Sequence, residues 1–164
     1  ARAAYGEGMA LGDLPPSAAW RHVGGRVGSE VAFFTRQASG WLMAGSTSAV
    51  EERVPWHATY EVHVAADRTT RRVLVALSSA GVARAVEVVA DGTGRWWVDG
   101  TPRDDLDGCL DLDLEFSVVT NTLPVRRGPT EFDYTAPVFG AAFRLSYAED
   151  LLVRDYPGLA VREH

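Results

Sequence analysis

Short apolar-alternating segments, each closed by a turn signal, recur along most of this chain. Between Tyr60 and Val64, apolar and polar residues alternate, which is the period-two pattern of a strand with one buried face. Residues 73–77 are apolar throughout, as expected for a central strand. Asp91 to Gly94 supplies the positive φ angles that a tight hairpin needs. Because no amphipathic helix pattern of about 12 residues interrupts this series, the sequence predicts an all-β fold.

The remaining strand candidates are equally short. Strands are predicted at residues 82–90, 95–98, 110–116, 131–135, 142–147, 151–156 and 159–162, with a turn at 157–158. Antiparallel strands at such spacing are found in sandwiches, barrels and curved sheets, and the pattern alone leaves these three open.

The length of 164 residues suits a single domain. Glycine and proline interrupt any periodicity in residues 1–28, so we expect a loosely ordered leader there, with a short helix around Tyr5 to Leu11. Trp20 is expected to pack this leader on the domain. Residues 29–164 are predicted to form one β domain.

Composition excludes several classes of protein. The net charge is −6 and no basic run exceeds a dipeptide, so a nucleic-acid partner is not expected. No apolar stretch approaches the roughly 20 residues of a transmembrane helix. Cys109 is the single cysteine, which excludes an intrachain disulfide and is compatible with the cytoplasm, our expected location. No nucleophile, metal or cofactor motif is found, so we expect no cofactor.

An acidic pattern stands out between Asp107 and Phe116. If this segment is a strand, Leu110 and the apolar residues at 112, 114 and 116 point into the core, while the acidic residues share the other face. Asp111 and Asp113 could then form an acid/base pair or bind a hard cation. They could also contact a polar ligand, or form a solvated face neutralised by arginines, which the pattern favours.

The segment that follows carries polar side chains around a proline. Asn121 and the pair Arg126 and Arg127 could donate hydrogen bonds to sugar hydroxyls or a phosphate. The residues by themselves favour the alternative, a structural corner whose arginines pair with the aspartates. Trp96 and Trp97, as strand neighbours, face opposite sides, and an outward ring could stack on a ligand.

Residues 107–127, which read DGCLDLDLEFSVVTNTLPVRR, resemble the signature of a bacterial glycolipid-binding family. Residues 94–100 resemble the segment that precedes that signature. The chain departs from it at Val118 and Val119, where the family has Pro and Phe, and at Val125 and Gly128.

The resemblance implies an antiparallel sheet curled into a half-barrel, as in the carriers that localise bacterial lipoproteins. It implies a binder of a small amphiphile, with the ligand held in the concavity. The ligand-binding residues are then expected to be Trp96, Asp111, Asp113, Asn121, Arg126 and Arg127. Two alternatives stay open: an enzyme that uses Asp111 or Asp113 for proton transfer, and a protein-interaction module.

Overall fold

The computed structural model of this protein describes residues 14–126, 133–136 and 141–163. Within them the chain forms thirteen strands and very little helix. The N-terminal strands are β1 (Ser17–His22), β2 (Arg26–Gln37), β3 (Gly40–Glu51), β4 (Val54–Ala65), β5 (Thr70–Ser79) and β6 (Val82–Ala90). The shorter ones are β7 (Trp96–Val98), β8 (Thr101–Pro102), β9 (Asp133–Ala136), β10 (Ala141–Arg144), β11 (Ser146–Tyr147), β12 (Val153–Tyr156) and β13 (Ala160–Glu163).

Eleven of the described strands make one open antiparallel sheet, in the order β11-β12-β13-β1-β2-β3-β4-β5-β6-β7-β8. β1 lies between the N-terminal and C-terminal strands of the sheet, because it pairs with β2 on one side and with β13 on the other. β9 and β10 pair separately. The prediction of an all-β curved antiparallel sheet is confirmed, and the one described α-helical turn is α1 (Thr122–Val125). None of the described helical turns has the length or apolar character to cross a membrane.

The two faces of the long sheet differ. Tyr60, Val62 and Val64 of β4 are buried on what we call the inner face, and Val73 of β5 lies beside them in register. The outer face carries exposed residues such as Phe33. This division follows from the two-residue period of a strand, which sends successive side chains to opposite faces.

Residues 104–126, which we call the crossing segment, return over the inner face after β8. Leu112, Leu114 and Phe116 pack against the core from this segment, and Val118 and Val119 are fully enclosed in it. The Phe116 ring lies 6.4 Å from that of Trp56 and 6.2 Å from that of Tyr60. The inner face is therefore largely covered by the chain itself.

Two sequence predictions need correction. Residues 17–22 form β1 in the middle of the sheet, and β2 begins at Arg26, so the expected leader does not extend to residue 28. Trp20 does pack into the core, and its Nε1 donates to the backbone carbonyl of Val153 at 2.7 Å. The helix predicted around Tyr5 to Leu11 lies outside the described residues.

The predicted strand at 110–116 is also wrong, because the structure has no strand there. The Leu114 N–H donates instead to Thr120 Oγ1 at 3.1 Å, and just before this segment the Cys109 carbonyl accepts from Trp96. An extended segment lying on a core shows the same period-two pattern as a strand. Leu110 is 51% exposed and does not enter the core, contrary to expectation.

Candidate functional site

Trp96 lies inside the protein. The ring is buried, and Nε1 donates to the Cys109 carbonyl at 2.8 Å, which fixes the start of the crossing segment against β7. Gly94 and Gly108 also meet here, since the Gly108 N–H donates to the Gly94 carbonyl at 2.9 Å. A Cβ on Gly94 would lie 2.9 Å from the Gly108 Cα, so this approach requires glycine. Trp96 thus has a clear structural role.

Asp113 lies on the exposed side of the crossing segment. Its Oδ1 accepts a hydrogen bond from Thr120 Oγ1 at 3.0 Å, which closes a local turn. Burial above all raises the pKa of Tyr147 to about 12, and the negative charge of Asp113 adds to this effect. Asp111 is half-buried two residues earlier.

Asn121 and Arg126 are buried at the end of the crossing segment. The Tyr147 hydroxyl donates to the Asn121 carbonyl at 3.2 Å. Arg126 Nη1 donates to the Asp150 carbonyl at 2.8 Å, and the Arg126 carbonyl accepts from Arg68 Nη1 at 2.5 Å. Through these bonds the end of the crossing segment is joined to the C-terminal strands.

The structure therefore places Asp113 and Asn121 near one another, around Tyr147, with Arg126 at Asp150, while Trp96 holds the opposite end of the segment. Arg127 lies outside the described residues. The prediction that these six side chains contact a ligand stays a prediction.

A buried carboxylate on β2, Glu30, is not indicated by any motif in the sequence. Glu30 has no exposed surface. Its Oε1 accepts hydrogen bonds from the hydroxyls of Tyr60 and Ser117, both at 2.6 Å, and its Oε2 accepts from the backbone N–H of Val118 at 2.7 Å. This arrangement, which we call the Glu30 cluster, ties the crossing segment to β2 and β4.

Burial raises the pKa of Glu30, and the hydrogen bonds from Ser117, Tyr60 and Val118 oppose that rise. The pKa of Tyr60 is also raised, by burial first and then by the charge of Glu30. Thr47 on the strand between them donates to the Phe116 carbonyl at 3.0 Å. The only hint in the sequence is Glu30 at an alternate position before Ala32 and Phe34, where an apolar residue is expected.

A groove lies on the outer face, with a volume of about 610 Å³. Two adjacent cross-strand rows line it, each running from β3 to β6. The groove is a depression in the sheet surface because the outward side chains that form its floor are small, as at Ala44, Ser46, Ala76 and Ala85. Phe33 borders it at β2 and is 58% exposed.

Three carboxylates also line the groove: Glu61, Glu87 and Asp99. Arg72 pairs with Glu87 at 2.6 Å, and the Glu87 N–H donates to Asp99 Oδ1 at 2.9 Å. His63 Nε2 lies 3.5 Å from Glu61 Oε2. An apolar floor with oxygen acceptors at its side suits a ligand that has both an apolar part and hydrogen-bond donors.

Metal binding has no support in the part of the chain that the structure describes, where no three His, Cys, Asp or Glu side chains converge. None of the five described residues from the sequence prediction lines the outer groove. The groove was missed because its side chains are small or solvated residues, which carry no motif.

A long open antiparallel sheet, packed over a crossing segment on one face and grooved on the other, defines an all-β protein built around a single curved sheet. The chain matches the family described as "Putative glycolipid-binding" over residues 17–132, and it belongs to that family. The resemblance noted in its sequence is thereby confirmed.

One similar solved structure is the 1.80 Å crystal structure of a DUF1089 family protein from Pseudomonas aeruginosa. It matches with a TM-score of 0.68 and 24% identity, over 82% of this chain and 92% of the other. At that identity the likeness shows the shared fold. No curated protein matches this chain.

Proposed function

We propose that this protein binds a small amphiphile of the glycolipid class and holds its apolar part in the outer-face groove. The observation that carries the proposal is the groove of about 610 Å³ with an apolar floor and carboxylates at its side. This volume falls within the range of about 300–1,000 Å³ that small-molecule sites have. The family description points to the same class of ligand.

The apolar part of the ligand would lie across the strands. From β2 to β6 the groove crosses four strand spacings, which is about 19 Å. Phe33, Leu74, Ala76 and Ala85 offer apolar contact along this path. An acyl chain placed there removes apolar surface from water on both sides, which is the main source of affinity.

The polar part would lie at Glu61, Glu87 and Asp99. Sugar hydroxyls are hydrogen-bond donors as well as acceptors, and carboxylates accept from them strongly. The chain carries a net charge of −6, so an anionic head group at this groove is disfavoured relative to a neutral sugar.

The crossing segment lies on the other face, so the sequence-predicted residues do not belong to this groove. Any ligand contact of Asp111, Asp113, Asn121 or Arg126 would require a second binding region.

Isothermal titration with n-decyl maltoside below its micelle concentration tests the proposal. Wild-type protein should bind it with a negative heat-capacity change, and maltose alone should bind far more weakly. Ala76→Trp should abolish binding by filling the floor. Val89→Trp is the matched control, because Val89 lies on the same outer face and does not line the groove.

Either of two results contradicts the proposal: equal affinity for maltose alone, or unchanged binding by Ala76→Trp. Glu61→Gln adds a second check on the head group, because it removes the negative charge and one strong acceptor while preserving shape. It should weaken binding of the maltoside more than binding of a decyl chain whose neutral head group has no hydrogen-bond donor, such as a dimethylphosphine oxide.

A further inference from the structure

Two basic side chains lie close to the turn between β1 and β2 on the inner face. His22 ends β1 and Arg26 begins β2. His22 is 4% exposed and Arg26 is 5% exposed. Burial of a guanidinium is unfavourable unless it is paired and hydrogen-bonded, so its partners need to be identified.

Arg26 has an aromatic neighbour: its Cζ lies 5.8 Å from the centre of the Trp56 ring. No hydrogen bond or ion pair reaches its guanidinium from any residue in the described part of the chain. The other buried arginine, Arg126, shows the usual arrangement, since its Nη1 donates to the carbonyl of Asp150. Arg26 thus keeps its donors available for a group that the protein itself does not provide.

The His22 side chain is also buried. Neither of its ring nitrogens has a hydrogen-bond partner. The nearby carbonyl of Leu159 accepts from the backbone N–H of Val23 at 2.8 Å. Two neighbouring basic side chains are therefore both buried. Within the described residues Arg26 has no hydrogen bond, and the His22 ring has only the Leu159 carbonyl close by, without good hydrogen-bond geometry.

The residues of the inner face between His22 and Trp56 have small side chains or none. In register, Gly28 of β2 and Ala49 of β3 occupy the positions that lead to Trp56 of β4. A Cβ on Gly28 would lie 2.8 Å from the Ala49 Cβ, so no side chain fits there. The row thus has two small residues between a histidine and a tryptophan.

Nearby carboxylates do not complete the arrangement. Glu51 lies opposite Arg26 in register and is exposed, and no ion pair joins the two. Glu30 is on the same face of β2, but its oxygens accept from Tyr60, Ser117 and Val118. No described residue thus supplies an acceptor for the Arg26 guanidinium, and an external anion would complement it.

We infer that His22 and Arg26 form a binding site for an oxyanion such as a phosphate group, with Trp56 as its aromatic wall. A guanidinium presents parallel N–H donors that match two phosphate oxygens, and a histidine N–H supplies a third donor. The site lies on the face opposite the outer groove, so it is independent of the proposed amphiphile binding. A free phosphate and a lipid phosphate head group share this chemistry.

Anion binding at this site depends on pH. In the free protein, burial and then the charge of Arg26 lower the pKa of His22, while Glu51 and the Leu159 carbonyl raise it. A bound dianion favours the protonated imidazole, so binding takes up a proton. For an anion whose own charge is constant in this range, such as sulfate, affinity should therefore increase as the pH falls from neutrality through the ordinary histidine pKa of 6.5.

The test is a titration of the intact protein with inorganic phosphate, followed by NMR of the histidine ring signals. Potassium chloride at equal ionic strength is the reference. The His22 signal should shift saturably with phosphate, and Arg26→Gln should abolish the response. With sulfate as the probe, His22→Asn should remove the pH dependence of affinity. Arg36→Gln is the matched control, because Arg36 lies on β2 with its Cζ 6.0 Å from the Trp41 ring.

Thermal unfolding separates binding from a structural role. Phosphate should raise the Tm of the wild type and leave that of Arg26→Gln unchanged. The inference is overturned if no saturable shift occurs, if Arg36→Gln weakens the response as much, or if Arg26→Gln keeps the phosphate response. A short-chain phosphatidic acid that binds much more tightly than phosphate identifies a lipid source, and equal affinities identify a free phosphate.

Discussion

Removal of the Tyr60 hydroxyl measures how much this hydrogen bond of the Glu30 cluster stabilises the fold. It donates to Glu30 Oε1 at 2.6 Å, where both side chains are buried. A hydrogen bond to a charged group contributes about 1.5–3 kcal/mol. Tyr60→Phe removes only the hydroxyl, so at a pH where Glu30 is ionised we expect the free energy of unfolding to fall by about 2 kcal/mol, which corresponds to roughly 4–8 °C in Tm.

Tyr147→Phe is the matched control for this substitution. The Tyr147 hydroxyl donates to a neutral backbone carbonyl at 3.2 Å, so its loss should cost about 0.5–1.5 kcal/mol. Urea unfolding followed by tryptophan fluorescence gives both values. If Tyr60→Phe costs no more than Tyr147→Phe, the carboxylate does not strengthen the bond and the reasoning is refuted.

The pH dependence provides a second check on the same cluster. The pKa of Glu30 is raised above 4.5 in the folded protein, so its contribution to stability is complete below 4.5 and is lost as the pH rises through the folded pKa. The hydrogen bond from Tyr60 lowers that pKa. Tyr60→Phe therefore raises it further, and the penalty of the substitution should grow as the pH rises through this window. A penalty that is constant with pH would contradict an ionised Glu30.

Three further predictions concern other parts of the fold. Gly45→Ala should destabilise by about 1–3 kcal/mol in urea unfolding, because the new Cβ would lie 2.5 Å from Tyr60 Cζ. Trp20→Phe should cost about 2 kcal/mol, since it leaves the buried Val153 carbonyl without its 2.7 Å donor. Ultraviolet titration should show Tyr147 ionising with a pKa of about 12, and its raised pKa means that stability is lost as the pH rises through that value, so Tyr147→Phe should be less sensitive to alkali.

The strands that could be predicted are those whose buried positions are all apolar. Residues 82–90 were predicted with the observed bounds of β6, and Tyr60 to Val64 falls within β4. The hairpin before β7 follows from Asp91, whose carboxylate accepts from the Thr93 N–H at 2.7 Å. In these segments local pattern and burial agree, so the period is visible in the sequence.

β2 could not be recognised because its polarity is inverted. Arg26 and Glu30 point to the inner face and are buried, whereas Val27 and Phe33 point outward and are exposed. Long-range partners cause this inversion: Glu30 is satisfied by residues about 90 positions later in the chain. Such pairings leave no local pattern, so no reasoning over a short window can find them.

The crossing segment explains why its sequence is so unusual. Ser117 and the Val118 N–H bind Glu30, Asp113 accepts from Thr120, and Trp96 donates to the start of the segment. These bonds satisfy part of the backbone and side chains of a segment that has no strand partner, which gives a physical reason for Asp113, Ser117 and Thr120. The residues that most resemble the family signature therefore serve first to hold the inner face closed. The ligand contacts that we propose lie elsewhere, in the outer groove and at Arg26.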